Sequence, residues 1–191
     1  MLYDLTDEQR MLQDMVRRLA KEQIAPGAAE RDEAGKFPWD VVEVFRENGL
    51  FGCDFKEEYG GSQMGVLALC LAVEEVAKVC ASSSVVLLVH ELGSMPMLLA
   101  ASPEQKKKWL PGLASGEHLI AFGLTEPGAG SDAAGVRTIA VKKGDKYIIN
   151  GTKQFISHAD VAQYVCVACK TDPELPPHKG GMSVIVVEKD T

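Results

Sequence analysis

The hydrophobic period changes once along this chain, and that change divides what the chain can fold into. Up to Leu113 apolar residues recur at helical spacing, and from His118 onward they alternate as strand residues do. The junction is the run Ala121-Phe122-Gly123-Leu124-Thr125-Glu126-Pro127-Gly128-Ala129-Gly130-Ser131-Asp132. Small residues there let the backbone bend tightly and come close to a ligand, and successive free amides in such a bend suit phosphate oxygens. Thr125 and Ser131 add hydroxyls that donate or accept. A surface turn between two domains would draw on the same residue types. Gly128-Ala129-Gly130-Ser131-Asp132-Ala133 also fits the letters of the G-x-G-x-x-A dinucleotide fingerprint. That fingerprint needs a helix after it, and the following residues turn like a hairpin, so the Rossmann reading fails.

Before the junction, Thr6 and Gln9 form a capping-box pattern ahead of an amphipathic helix carrying Leu12, Met15, Val16 and Leu19. Ala25-Pro26-Gly27 ends it, and a polar link leads to a second helix from about Asp40, closed by Asn48-Gly49. A helix over about 66–80 is apolar nearly all round and belongs inside a bundle. Another over about 84–100 is expected to bend or break at Gly93 and Pro96. Ser102-Pro103-Glu104-Gln105 opens the last helix with an N-cap, a first-turn proline and a capping box. Its Lys106-Lys107-Lys108 run reads as a solvated face.

After the junction, strands are expected over 118–124, over 136–142 and 147–150 as a hairpin about Gly144-Asp145, over 154–157, 162–170 and 183–188. Asp172 to Gly181 reads as a Pro/Gly loop. The plan is α+β: an all-α helical bundle over 1–117, then an antiparallel β-barrel or sandwich over 118–191. That second domain looks incomplete, because it ends on a strand whose open edge needs a partner or cover.

A length of 191 residues suffices for a real core. The net charge of −7 argues against a nucleic-acid partner. Met1-Leu2-Tyr3-Asp4-Leu5-Thr6-Asp7-Glu8 shows no basic n-region followed by an apolar core, so no signal peptide is expected, and no run of about 18 uninterrupted apolar residues predicts a membrane span, which points to the cytoplasm. Five scattered cysteines suggest no disulfide framework. Cys166 and Cys169 make a formal C-x-x-C, but in a strand residues three apart point to opposite faces. They read as buried reduced thiols, and no metal site is expected.

The run from Gly123 to Gly135 resembles the signature of the acyl-CoA dehydrogenase family without an identifiable mismatch. Leu92-Gly93-Ser94-Met95-Pro96, Lys106-Lys107-Lys108-Trp109-Leu110 and Tyr147-Ile148-Ile149-Asn150-Gly151-Thr152-Lys153 support the likeness, which covers the whole chain. The resemblance implies a flavoenzyme that oxidises the Cα–Cβ bond of an acyl-CoA thioester. A carboxylate base takes the α-proton, FAD N5 takes the β-hydride, and electrons pass to an electron-transfer flavoprotein.

By position, the resemblance sets Phe122, Leu124 and Thr125 against the flavin and Gly130 and Ser131 near the pyrophosphate, with Ser131 also toward the CoA. Phe155-Ile156-Ser157 matches a segment that often reads Trp-Ile-Thr, an aromatic wall followed by a hydroxyl near N5. A core aromatic and a strand-end polar residue are the plainer readings of Phe155 and Ser157. Ser84, Val85 and Leu88 would face the acyl chain, or equally pack as bundle core, and Leu88 would favour a short, branched or cyclic acyl group. The family's base is a glutamate of a C-terminal helical domain that also completes the FAD and CoA sites across a dimer interface. That domain is not expected within these residues, so no catalytic residue is expected in this chain. Glu126 is expected to fix its loop rather than act as a base. A homo-oligomer (dimer or tetramer) or a C-terminal partner chain would then complete the enzyme. Two other readings stay open: a non-catalytic flavin- or CoA-binding subunit, and an acyl-CoA oxidase or flavin monooxygenase on the same scaffold.

Overall fold

The structure, a computed structural model, describes residues 4–176 and 179–191. The start of the N-terminal reading, Met1 to Tyr3, and the Pro177-His178 part of the Pro/Gly loop lie outside them. The chain divides into two units, Met1–Glu91 with Met97–His118, and Leu92–Pro96 with Leu119–Thr191.

The first unit is helical. Thr6 caps α1 (Asp7–Leu19): its hydroxyl accepts from the Gln9 amide at 3.2 Å, and Gln9 returns a carbonyl to the Thr6 amide at 3.0 Å. Leu12, Val16 and Leu19 give α1 its buried stripe. A π-helical turn over Ala20–Ile24 and a 3₁₀ turn over Ala25–Gly27 follow. The expected polar link instead holds a further helix, α2 (Ala28–Ala34), ended by Gly35 in the left-handed region. Arg31 fixes it by pairing with Asp40 at 2.6 Å, a contact nine residues away that local pattern does not announce.

Helix α3 (Trp39–Glu47) buries Val41, Val42 and Phe45, and α4 (Val66–Ala77) buries Ala68, Leu69, Leu71, Ala72 and Val76. Arg17 grips Glu75 with two nitrogens, at 2.9 and 3.1 Å, so the buried carboxylate of α4 is satisfied from α1. Helix α5 runs unbroken over Ala81–Ala100, contrary to the expected interruption at Pro96. One lost backbone bond is offset where the flanking turns are packed, with Val86, Leu87 and Met97 almost fully buried. A Cβ on Gly93 would sit 2.9 Å from Ile120 Cγ2, so glycine there serves close packing. By length and composition α5 is able to cross a bilayer, yet half of it is buried inside the protein, as in a bundle core. Helix α6 (Pro103–Ala114) opens on the Ser102–Gln105 capping box.

The second unit is a five-stranded sheet of β1 (Ile120–Gly123), β2 (Ile139–Lys143), β3 (Lys146–Asn150), β4 (Tyr164–Lys170) and β5 (Met182–Glu188). The expected antiparallel order holds for β2–β3 and β4–β5, but β1 runs parallel to β4, so the sheet is mixed. The 40-residue connection from Leu124 to Gln163 makes that parallel crossover possible. Both β1 and β2 lie on the β4 edge opposite β5. β1 covers Tyr164 to Val167, and β2 touches β4 only at Lys170 through Ile139. The chain thus leaves the β4 edge at Gly123, loops out through the glycine-rich run, and returns to the same edge at Thr138, whose carbonyl accepts from Lys170 N at 2.8 Å. The expected strand over 154–157 is absent: that segment is a loop, because Phe155 and His158 take positive φ values of 58° and 67° and cannot sit in a ladder.

All five cysteines are free, and all but Cys70 are buried. Burial pushes the Cys166 thiol up to about 12 and raises that of Cys169 as well. Among the described residues no three His, Cys, Asp or Glu side chains gather as metal ligands would.

Candidate functional site

In the sheet unit, two stretches named separately by the sequence come together. The glycine loop and the segment after β3 are joined directly: the Gln154 amide donates to the Thr125 carbonyl at 2.9 Å, and Lys153 Nζ donates to the Leu124 carbonyl at 2.9 Å. Four residues beyond Gln154, buried His158 makes a hydrogen bond with the Ile120 backbone. Burial lowers its imidazole pKa against that bond and the charge of Asp160. Phe155-Ile156-Ser157 is therefore a short platform pinned at both ends to the stretch that carries Phe122, Leu124 and Thr125.

The platform faces outward. Phe155 is 85% exposed, Ser157 is exposed and Ile156 is half-buried, so Phe155 is not the core aromatic that a barrel would make of it. A bulky residue in the left-handed region costs on the order of 1–3 kcal/mol and persists only where its surroundings impose it. Phe122, Leu124 and Thr125 are half-buried, and Gly130 and Ser131 are exposed.

Glu126 holds the base of the loop. It is 7% exposed and accepts four hydrogen bonds, from Arg137 N at 2.7 Å, Thr138 N at 2.9 Å, Thr138 Oγ1 at 2.5 Å and Lys153 Nζ at 2.8 Å. The two amides belong to the residues where the chain rejoins the β4 edge. Burial alone would raise the carboxyl pKa, but the bonds from Lys153, Thr138 and the two amides outweigh it and hold the group at about 2. So satisfied, the carboxylate ties the loop to the point where the chain rejoins the sheet.

The glycines divide by what surrounds them. A Cβ on Gly151 would lie 2.7 Å from Thr138 Cα, so glycine there is imposed by the chain itself. A Cβ on Gly128 or Gly130 would meet nothing within 4 Å, and neither has a positive φ. Glycine at these two positions leaves the loop backbone open to close approach from outside, which suits a phosphate ligand.

Of the acyl-facing candidates, Val85 and Leu88 are 37% and 46% exposed on α5, in one row with Leu92 at 53%. Val85 and Leu88 are not bundle core. Ser84 is buried, and its hydroxyl donates to the Ala81 carbonyl at 2.7 Å within the first turn of the helix. Sequence reasoning gave no role to Lys153, Gln154, Thr138 or His158. The one available signal was a charged lysine closing the otherwise uncharged stretch from Tyr147 to Lys153.

Comparison with known proteins follows the same division. Residues 6–117 match the acyl-CoA dehydrogenase N-terminal domain, and residues 121–191 match the acyl-CoA dehydrogenase middle domain. An acyl-CoA dehydrogenase of Bacillus subtilis is 40% identical over 188 residues, which are 98% of this chain and 49% of that protein. A cyclohex-1-ene-1-carbonyl-CoA dehydrogenase of Syntrophus aciditrophicus is 44% identical over 191 residues, covering 98% of this chain and 45% of the relative. Among solved structures, a chain in the electron transferring flavoprotein study of Acidaminococcus fermentans superposes with a TM-score of 0.93 at 40% identity, over 98% of this chain and 49% of that one. A glutaryl-CoA dehydrogenase of Mycobacterium smegmatis in complex with FADH2 superposes with a TM-score of 0.89 at 29% identity, over 98% and 47%. The chain spans about half the length of the curated relatives it matches.

Proposed function

Because the chain belongs to the acyl-CoA dehydrogenase family and carries its N-terminal and middle domains, we propose that it forms the flavin-binding half of an enzyme that dehydrogenates an acyl-CoA thioester between Cα and Cβ. The observation that carries this reading is the pinned platform: an exposed, strained Phe155 with Ser157 beside it, tied to Thr125 and Ile120. Phe122, Leu124, Thr125, Phe155, Ile156 and Ser157 would hold the flavin ring of FAD, and Gly130 and Ser131 its pyrophosphate. Bound there, FAD supplies the acceptor for the β-hydride. The likeness to a structure holding FADH2 supports the same cofactor.

What this chain's own residues do is bind and orient. The glycine loop offers backbone amides to phosphate oxygens, and Phe155 offers an aromatic face that excludes water from one side of a flat ligand. The apolar row Val85, Leu88 and Leu92 is the proposed wall for the acyl chain, with Leu88 favouring a short, branched or cyclic group. A preference for long acyl chains across a ladder of acyl-CoA lengths would sink that last point. With Glu126 occupied by four donors, the base that removes the α-proton is assigned outside these residues, to a further segment or a partner chain. An electron-transfer flavoprotein is the proposed electron acceptor, a homo-oligomer the proposed assembly, and the cytoplasm the proposed compartment.

Native mass spectrometry of the purified protein tests the reading. A flavin-containing species well above 20.6 kDa, with a second or longer chain, is the expected result. A bare 20.6 kDa chain that takes up no flavin at saturating FAD, with or without a full-length relative present, contradicts it.

A further inference from the structure

We infer that Glu126 and Lys153 are a positioning pair that straps the Phe155–Ser157 platform to the glycine loop, and so sets the geometry of the flavin wall. The inference rests on the proposed flavin site. Lys153 Nζ bridges two acceptors of the loop, the Leu124 carbonyl at 2.9 Å and Glu126 Oε1 at 2.8 Å. The next amide along, Gln154 N, takes the Thr125 carbonyl at 2.9 Å. On its other side Glu126 holds the Arg137 and Thr138 amides, where the chain rejoins the sheet. One ion pair thus ties three places that are remote in sequence: loop entry at 124–126, loop exit at 137–138, and the start of the platform at 153–154.

The pair is enclosed. The Glu126 and Lys153 side chains are 6% and 13% exposed, so removing either leaves its partner charged, buried and short of a hydrogen bond. The Lys153 side chain also runs beside the loop entry, since a Cβ on Gly123 would lie 3.5 Å from Lys153 Cγ. With the lysine head removed, the platform keeps its His158 anchor and loses the tie that accompanies the Gln154–Thr125 bond. The strained φ at Phe155 then has less to enforce it, and the segment is free to relax away from the glycine loop.

The test uses the whole 191-residue chain and two independent readouts. The first is amide hydrogen exchange without flavin. Lys153→Met should speed exchange of the Gln154, Arg137 and Thr138 amides by about tenfold or more, while the β4–β5 ladder amides keep wild-type protection. The second is FAD titration followed by the induced circular dichroism of the flavin. Lys153→Met should weaken FAD binding about tenfold or more and change the induced spectrum, and Lys153→Arg should restore part of both. Unchanged exchange at the three amides, or equal acceleration throughout the sheet, overturns the inference. So does local acceleration with wild-type FAD affinity and spectrum. Lys153→Gln, which keeps one neutral donor, replaces Lys153→Met if the latter does not fold, and it is read the same way. A wild-type chain that binds no FAD overturns the proposed function instead, and the exchange arm alone then decides whether the pair is the strap.

Discussion

Glu91 gives the helical unit a stability that falls as pH rises. Its carboxyl lies on α5, 9% exposed, and is pushed up to about 7 by burial first, then by the charge of Asp54 and a hydrogen bond with it. The neighbouring Cys53 thiol reports the same surroundings, raised to about 11 by burial and by the charges of Glu91 and Asp54. A folded value above the ordinary 4.5 means that between these two pH values the folded chain holds a proton that the unfolded chain has lost. Stability is then complete below 4.5, declines as pH rises toward 7, and stays diminished above it. At about 1.4 kcal/mol per pH unit, that interval costs about 3 kcal/mol. Glu91→Gln removes the charge and keeps an N–H donor for Asp54. It should be nearly neutral at pH 5 and stabilising by about 2–3 kcal/mol at pH 8. Urea unfolding of wild type and variant at both pH values measures this directly, provided m is unchanged. Wild-type stability that is flat from pH 5 to pH 8, or a Glu91→Gln chain that is weaker at pH 8, would refute the reasoning, because the carboxylate would then be gaining a partner rather than lacking one.

Three other outcomes follow from the sheet unit. The Glu126 carboxyl is held at about 2, below its ordinary 4.5, so its stabilisation is complete above pH 4.5 and lost as pH falls through 2. Glu126→Gln should cost about 3 kcal/mol at pH 7 in urea unfolding and flatten the acid limb. Gly151→Ala should cost about 1–3 kcal/mol because its Cβ meets Thr138 backbone, whereas Gly128→Ala and Gly130→Ala should leave the flavin-free melting temperature nearly unchanged and weaken FAD binding in a titration. Phe155→Gly should raise flavin-free stability by about 1 kcal/mol in denaturant titration by releasing the positive φ, and lower flavin affinity in parallel.

Local chemistry carried much of the fold in advance. The capping boxes at Thr6 and Ser102 formed as written, and so did the Gly144-Asp145 hairpin, because each is decided by groups within a few residues of one another. The departures share a different cause. Helix α2 is held by Arg31 across to Asp40, and the parallel β1–β4 pairing joins residues more than forty apart. The 154–157 segment follows the Gly151-Thr152 turn as a returning strand would, yet its backbone is set by Thr125 and Ile120 and by left-handed conformations at two non-glycine residues. No propensity at Phe155 announces such a conformation. The candidate site was legible as a motif at Gly123 to Gly135 and as a second fragment at Phe155 to Ser157. What joined them, Lys153 and Gln154, became visible only with the contacts.

The strain and the open glycines point the same way. In a chain shaped only by its own packing, a large aromatic moves indoors and a glycine sits where a Cβ would collide or φ is positive. Gly151 and Gly93 obey that rule. Phe155 breaks it by standing exposed at a positive φ, and Gly128 and Gly130 break it by having room for a side chain they lack. Local rules fail mainly at sites whose remaining partner lies outside the chain. These three lie in the two segments that Lys153 and Gln154 draw together, the loop beyond Thr125 and the platform beyond Gln154. A flat ring against Phe155 and a phosphate over Gly128 to Gly130 would account for both exceptions with a single ligand, which neither a surface turn nor a plain β-sheet edge does.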